Sequence, residues 1–249
     1  MTFGIKRMGL LSRALRLTER DLEHFGKTVI IAPHPDDESL GCGGLVSMLR
    51  RLGLNVECIF VSDGSMSHPS SVEFSAERRA EVRRQEALNA LAELNVSAGH
   101  GVFLDFPDGA VPNSASAAFE DSAKTLANHL LQMKPDTIFI PYQHDPHRDH
   151  EAVWQLAQRS LTEVKKCPRI FEYPVWLWEL GREEDYPSDS DMTCWRLDIG
   201  TELETKRKAI AAHRSQLGQV FFDDPAGFVL RPDLLAHFEH PFEIFFETK

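Results

Sequence analysis

The sequence predicts an α/β fold, a parallel sheet with helices on both faces, and two observations point to it. Short apolar runs rich in β-branched residues alternate with longer stretches of helical period. Histidine- and aspartate-rich segments follow directly after the apolar runs. In such sheets functional groups gather beyond the carboxyl ends of the strands.

The first 26 residues are basic and then mixed in charge, with apolar residues spaced as in an amphipathic helix. Glu19 and Asp21 leave no continuous apolar stretch, so the segment makes a poor secretion signal. It is expected to be a helical extension docked on the protein's own surface, with a peripheral membrane role as the alternative. "KTVIIAPH" then predicts a buried strand, and "LGCGGLVSMLRRLGL" a helix stopped by Gly53. "NVECIFVSDG" is a second strand. "AERRAEVRRQEALNALAELNV" is a long helix with an Ala/Leu face and a charged face. "GVFLDFPDG" is a third strand and a turn, "FEDSAKTLANHLLQMKP" a helix, "DTIFIPY" a fourth strand and "DHEAVWQLAQRSLTEV" another helix. Further on, "RIFEYPVWLWEL" reads as a strand and "GTELETKRKAIAAHRSQ" as a helix. "FEHPFEIFFETK" reads as a strand or a helix, and "EEDYPSDSD" as a loop. With no linker-like composition, residues 1–249 are expected to form a single domain.

Composition narrows the partners. A net charge of −11 opposes a nucleic-acid partner, whose phosphates would be repelled. The four cysteines, Cys42, Cys58, Cys167 and Cys194, are scattered and contain no C-x-x-C. Reduced thiols and a cytoplasmic location are expected. No apolar run approaches the ~20 residues of a membrane span, so no stable membrane insertion is expected. Self-association is left open.

The chemistry lies in two clusters. "IAPHPDDESLGCGG", residues 31–44, places a histidine, two adjacent aspartates and a glutamate after a strand. Buried carboxylates without partners are costly, so a cation is expected there. "HDPHRDHEA", residues 144–152, puts His147 and His150 three apart where a helix begins, on one face of its first turn. His34, Asp63, Asp108 and His147 all follow predicted strands, so one site can collect them. His34 and Asp37 together with the second cluster supply the nitrogen and oxygen donors that zinc accepts. No H-E-x-x-H is present. The glycines do not make a dinucleotide fingerprint, because "GCGGLV" has Val46 where the last glycine belongs and acidic residues precede it. Gly41, Gly43 and Gly44 instead suit a tight turn and close helix-to-strand packing.

"PHPDDE" (residues 33–38) and "HRDH" (residues 147–150) resemble the A-H-P-D-D-E and H-x-D-H signatures of the PIG-L/LmbE-like zinc N-deacetylases. "SDG", "RRQEALNALAELN", "FPDG" and "KAIAAHRSQ" add matches in the same order along most of the chain. Pro33 departs from the usual alanine without changing the donor set. The resemblance implies a Rossmann-like three-layer sandwich with a mostly parallel sheet, and zinc held by His34, Asp37 and His150, with iron(II) or another divalent metal also compatible.

The remaining roles follow from chemistry beside that resemblance. Adjacent side chains on extended backbone point opposite ways, so Asp36 would face the open position as general base; simple helix capping is the alternative. His147 is expected to stabilise the oxyanion as an imidazolium, braced by Asp149. Arg83 and Asp108 match family positions that contact the sugar or its attached groups. A solvated helix face and a plain turn are the competing explanations. Glu38 is expected to orient a ligand. His213 lines the pocket or caps a helix, and Trp176 and Trp178 either stack on a sugar or pack the core.

The expected activity is zinc-dependent hydrolysis of the N-acetyl group of an N-acetylated sugar of the N-acetylglucosamine-conjugate type, releasing acetate and a free amine. The competing expectations are hydrolysis of another small amide conjugate and a catalytically silent metal-binding module.

Overall fold

A computed structural model describes residues 5–249. Along the chain it places α1 (Ile5–Arg13), β1 (Leu15–Leu17), α2 (Glu19–Leu22), β2 (Thr28–Ala32), α3 (Asp37–Arg51), β3 (Val56–Ser62), α4 (Ala76–Glu93) and β4 (Gly101–Phe106). It continues with α5 (Phe119–Met133), β5 (Thr137–Pro141), α6 (Arg148–Leu161), β6 (Arg169–Tyr173), α7 (Leu177–Leu180), β7 (Met192–Asp198), α8 (Leu203–Ala212), α9 (Pro232–Leu235) and β8 (Phe242–Thr248).

Among the described residues the strands make one eight-stranded sheet in the order β1-β7-β8-β6-β5-β2-β3-β4. Strands β4, β3, β2, β5 and β6 pair in parallel, and β8 runs against both β6 and β7. From β2 the chain winds outward through β3 to β4 on one side and through β5 to β6 on the other. The gap between β2 and β5 is therefore the switch point where a ligand crevice opens.

Strand β2 shows why the sheet needs two covers. Its five residues are all buried, and side chains alternate across the sheet. Val29 and Ile31 join one core with α5 and α6, whose Leu126, Leu130, Val153 and Leu156 pack there. Ile30 and Ala32 join the opposite core with Leu45 and Leu49 of α3 and Ala209 of α8. The glycines of α3 sit within the helix rather than in a tight turn. A Cβ on Gly41 would lie 2.2 Å from the Tyr173 ring, and one on Gly44 would lie 2.6 Å from Ile199. Close packing is the part of the glycine expectation that applies.

The N-terminal segment differs from the continuous helix expected over residues 1–26, of which residues 1–4 lie outside the described residues. It divides into α1, the short edge strand β1 paired with β7, and α2. A reciprocal cap between Thr18 and Asp21 restarts the chain as α2. The segment docks on the protein itself, with Leu10, Leu17, Leu22 and Phe25 buried. No helix among the described residues is long and apolar enough to cross a membrane.

Candidate active site

The site forms where β2 and β5 end. After Ala32 the chain turns through residues 33–36 into α3, and after Pro141 it runs through residues 142–147 into α6. Asp37 falls in the first turn of α3 and His150 in the first turn of α6. Helix N-termini favour negative charge, which suits the Asp37 carboxylate.

The Asp37 Oδ2 atom is the centre of the arrangement. It lies 3.2 Å from His34 Nδ1 and 3.2 Å from His150 Nε2, and it accepts the backbone N–H of His34 at 2.9 Å. The other nitrogen of each histidine faces a carboxylate. His34 Nε2 lies 3.3 Å from both Asp108 Oδ1 and Asp149 Oδ2, and His150 Nδ1 lies 2.7 Å from Asp145 Oδ2. Neither nitrogen of His150 has hydrogen-bond geometry to these carboxylates, so among the described residues two fully buried ring nitrogens lack a hydrogen-bond partner. Orphaned buried donors are costly unless something else engages them.

Ring nitrogens of His34, His147 and His150 lie within 4.8 Å of one another, and so do donor atoms of His34, Asp108 and Asp149. Of the ligand set expected from the sequence, His34 Nδ1 and His150 Nε2 each lie 3.2 Å from Asp37 Oδ2. Zinc bonds of ~2.0–2.1 Å at tetrahedral angles set neighbouring ligand atoms roughly 3.3 Å apart, close to the two 3.2 Å separations observed. A set of three histidines would leave Asp37 buried without the ion. The expected set would also have a carboxylate behind each imidazole, the arrangement that fixes a ligand's tautomer and orientation.

The charges agree. Burial disfavours the imidazolium of His34, but Asp108, Asp149 and Asp37 outweigh it and hold its pKa well above the usual value. His150 is likewise disfavoured by burial yet raised to about 9 by Asp37 and Asp145. Burial raises Asp37, and the two histidines more than reverse this, holding it well below the usual carboxylate range. The carboxylates thus demand positive charge in their midst, which protons or a metal ion can supply.

Asp36 is separated from Asp37 by a turn, not by the alternation of an extended strand. Its backbone has φ 149° and ψ −26°, and its side chain caps no helix N–H. Two contacts hold this sparsely populated conformation. Glu38 Oε2 accepts the Asp36 N–H at 3.0 Å, and Arg83 Nη2 donates to Asp36 Oδ2 at 3.0 Å. Behind Glu38 stands the fully buried His213, with Nε2 at 3.1 Å from Glu38 Oε1. Burial pushes the Asp36 carboxyl up to about 6, against the pull of Arg83.

Two sequence expectations need correction, and one alternative falls away. Arg83 is not on a solvated helix face. It is buried, and its donors go to Asp36, to Pro35 O and to Gly64 O. Asp149 does not brace His147, because two residues apart on a helix they occupy different faces. Its carboxylate accepts the N–H groups of Gly109 and Val111 and faces His34. His147 is not held as an imidazolium, since burial and the neighbouring His150 and His34 lower its pKa to about 3. Its Nδ1 accepts the Asp149 N–H at 3.3 Å as the cap of α6.

A cavity of about 280 Å³ adjoins these groups, lined on its polar side by His34, Asp36, Asp37, Arg83, Asp108 and His147. Trp176 stacks on His147 at 5.7 Å and lines the same cavity. Trp178 instead lies under the Arg7 guanidinium, outside that cavity. Asp63 does not reach it either, and accepts the N–H groups of Ser65 and Asp108 in the loop beneath.

Two further residues escaped the sequence. Gln216 lines the cavity with a buried Oε1 that has no hydrogen-bond partner among the described residues. Asp145 faces His150 and also accepts the N–H groups of Val175, Trp176 and Leu177 at 3.3, 3.1 and 2.6 Å. The signal for Asp145 was its place between a strand end and the His-x-x-His pair.

Residues 29–161, just over half of the chain, match the family described as PIG-L: GlcNAc-PI de-N-acetylase. The chain is 28% identical over 194 residues to the probable N-acetyl-alpha-D-glucosaminyl L-malate deacetylase 2 of Bacillus subtilis, covering 76% of this chain and 82% of that one. It is also 28% identical over 199 residues to the diacetylchitobiose deacetylase of Thermococcus kodakarensis, with 76% and 70% covered. Its fold is similar to that of the N,N'-diacetylchitobiose deacetylase from Pyrococcus horikoshii, with a TM-score of 0.62, 24% identity and coverage of 87% and 81%.

Proposed function

Since the chain belongs to the PIG-L family of GlcNAc-PI de-N-acetylases, we propose that it is a metal-dependent amide hydrolase that removes the N-acetyl group from an N-acetylated sugar conjugate. Acetate and a free amine are the products. The observation that carries this reading is the placing of Asp36, a buried carboxylate raised to about 6, in the same cavity wall as the His34–Asp37 pair.

His34, Asp37 and His150 would hold a divalent ion, zinc by donor type and iron(II) by the same donors. When bound, the metal supplies Lewis acidity, polarising the acetyl carbonyl and acidifying water. Asp36 takes the proton of the attacking water as the new C–O bond forms. Because the His147 Nδ1 accepts a backbone N–H, a neutral ring carries its proton on Nε2. That N–H is the donor for the carbonyl oxygen as it gains negative charge. The C–N bond then breaks as Asp36 returns its proton to the amine, so one water is consumed and the carboxylate is regenerated. Arg83 and Glu38 hold Asp36 in place, while Asp108 and Gln216 Oε1 can accept hydroxyls of the sugar.

The four free thiols support a cytoplasmic location. The test is acetate release across a panel of N-acetylglucosamine conjugates by metal-loaded protein, with a chelator control. No acetate from any member, with metal bound, would leave a silent metal-binding module.

A further inference from the structure

The sparsely populated backbone of Asp36 persists only if its surroundings over-determine it. Glu38 and Arg83 are the immediate holders, and each needs an anchor of its own. A buried carboxylate is costly unless donors surround it. Glu38 has three: the Asp36 N–H at 3.0 Å on Oε2, and on Oε1 the Ser39 Oγ–H at 2.7 Å and the His213 ring at 3.1 Å. Asp36 and Ser39 belong to the same turn as Glu38, so His213 is the donor that ties this turn to another part of the fold. A carboxylate oxygen accepts, which places the ring proton on Nε2. His213 Nδ1 has no hydrogen-bond partner among the described residues, and as a bare acceptor it strands no donor.

His213 ends α8, with its backbone N–H on Ile210 O, and it does not line the cavity. Two residues on, Ser215 gives both its N–H and its Oγ–H to the carboxylate of Glu86, at 2.7 and 2.6 Å. Glu86 lies three residues after Arg83 on α4, on the same face of the helix, and both are buried. The two supports of Asp36 are therefore fastened to each other. A closed circuit runs from Asp36 through Arg83, α4, Glu86, Ser215, His213 and Glu38 back to Asp36, and these side chains are all buried. Glu86 itself does not line the cavity.

We propose that His213, and Glu86 acting through Ser215, are positioning residues that hold the Asp36 carboxylate where it takes the proton of water. The effect on rate rests on the amide-hydrolase reading above, whereas the hold on Asp36 does not.

The test compares metal-loaded parent with His213→Leu, which removes the donor, and His213→Gln, whose amide nitrogen stands near the place of the ring Nε2. In His213→Leu, kcat for acetate release is expected to fall by ~10- to 100-fold with KM within about threefold, the signature of a misplaced reacting group. Metal affinity should not change, and His213→Gln should recover most of kcat. A loss carried by KM would place the effect in the cavity wall through Gln216, which adjoins Ser215, and would overturn the positioning role. An equal loss in His213→Gln would overturn it too. Where His213→Leu does not fold, His213→Asn serves, since its shorter side chain stays polar but withdraws the donor from Glu38. Glu86→Leu should show the same loss in kcat, and the double variant should lose no more than the worse single one, because both act on one carboxylate. Losses that multiply would remove Glu86 from the circuit. Deuterium exchange of the Asp36 amide needs no turnover. Held by Glu38, it should exchange at least ~10-fold faster in His213→Leu and at the parent rate in His213→Gln. Unchanged exchange in His213→Leu would overturn the proposal whatever the activity. Faster exchange, in a protein whose parent releases no acetate from any substrate, would sustain the hold on Asp36 and sink the hydrolase reading.

Discussion

Arg83 donates to the carboxylate of Asp36 at 3.0 Å, and both side chains are buried although they lie 47 residues apart. The contact joins the long helix α4 to the turn after β2. It fixes where the carboxylate sits and moderates the rise in pKa that burial imposes on it.

Asp36→Asn keeps the shape and removes the proton acceptor. We expect kcat to fall by at least ~10²-fold with metal content unchanged. Loss of metal in Asp36→Asn, with retention in Asp37→Asn, would show that the two aspartates exchange roles.

Arg83 lowers the pKa of Asp36, so removing the cation favours the protonated acid. In Arg83→Met the acid limb of kcat/KM should therefore move to higher pH, with Arg83→Lys moving it less. A limb that stays in place in Arg83→Met would detach that limb from Asp36.

Metal content separates candidate ligands from their supports. His34→Ala and His150→Ala should lose metal and activity together. Asp145→Asn should keep the metal but bind it ~10- to 100-fold more weakly, the usual cost of disturbing a ligand's partner. Competition against a chelator measures this, and full occupancy in both histidine variants would dismiss the assignment.

His147→Ala should lower kcat by ~10²–10³-fold, the cost of losing one donor to a developing oxyanion. Since burial and the two neighbouring histidines keep His147 neutral at pH 7, any basic limb in the pH profile should survive the change. Its disappearance would restore the charged form that the sequence first suggested.

Glu172 on β6 offers a prediction outside the site. It is buried, accepts the Trp154 indole N–H and the Gln143 N–H, and burial pushes its carboxyl up to about 7. The folded state thus binds a proton more tightly than the unfolded chain does. That contribution is present below the ordinary glutamate pKa and is lost as pH rises to about 7. The change is on the order of 3 kcal/mol, at ~1.4 kcal/mol per pKa unit. Glu172→Gln should lack this decline between about pH 5 and 7, so parallel stability curves for the two proteins would refute it.

The central strands were legible because β2, β3 and β5 bury nearly every residue and so appear as largely apolar runs, interrupted within β3 at Glu57. β7 was not, since its burial is partial and irregular, leaving no period of two to find. The histidines and aspartates of the two clusters were legible as chemistry, but their pairings were not. Asp149 meets His34 across 115 residues and Glu38 meets His213 across 175. Such contacts are fixed by the order of strands in the sheet, which local pattern does not encode. Reading Asp149 as the partner of His147 followed chain proximity where the fold imposes distance.

Asp145 touches a candidate ligand with the same carboxylate that accepts three consecutive backbone amides. Fixing His150 therefore also steadies residues 175–177, which carry part of the cavity wall. Amide hydrogens of Val175, Trp176 and Leu177 would exchange with deuterium slowly while that carboxylate faces them, and faster once it is released. The deuterium uptake of one short peptide would then serve as a gauge of metal occupancy, legible in a mass spectrum without substrate, chromophore or turnover.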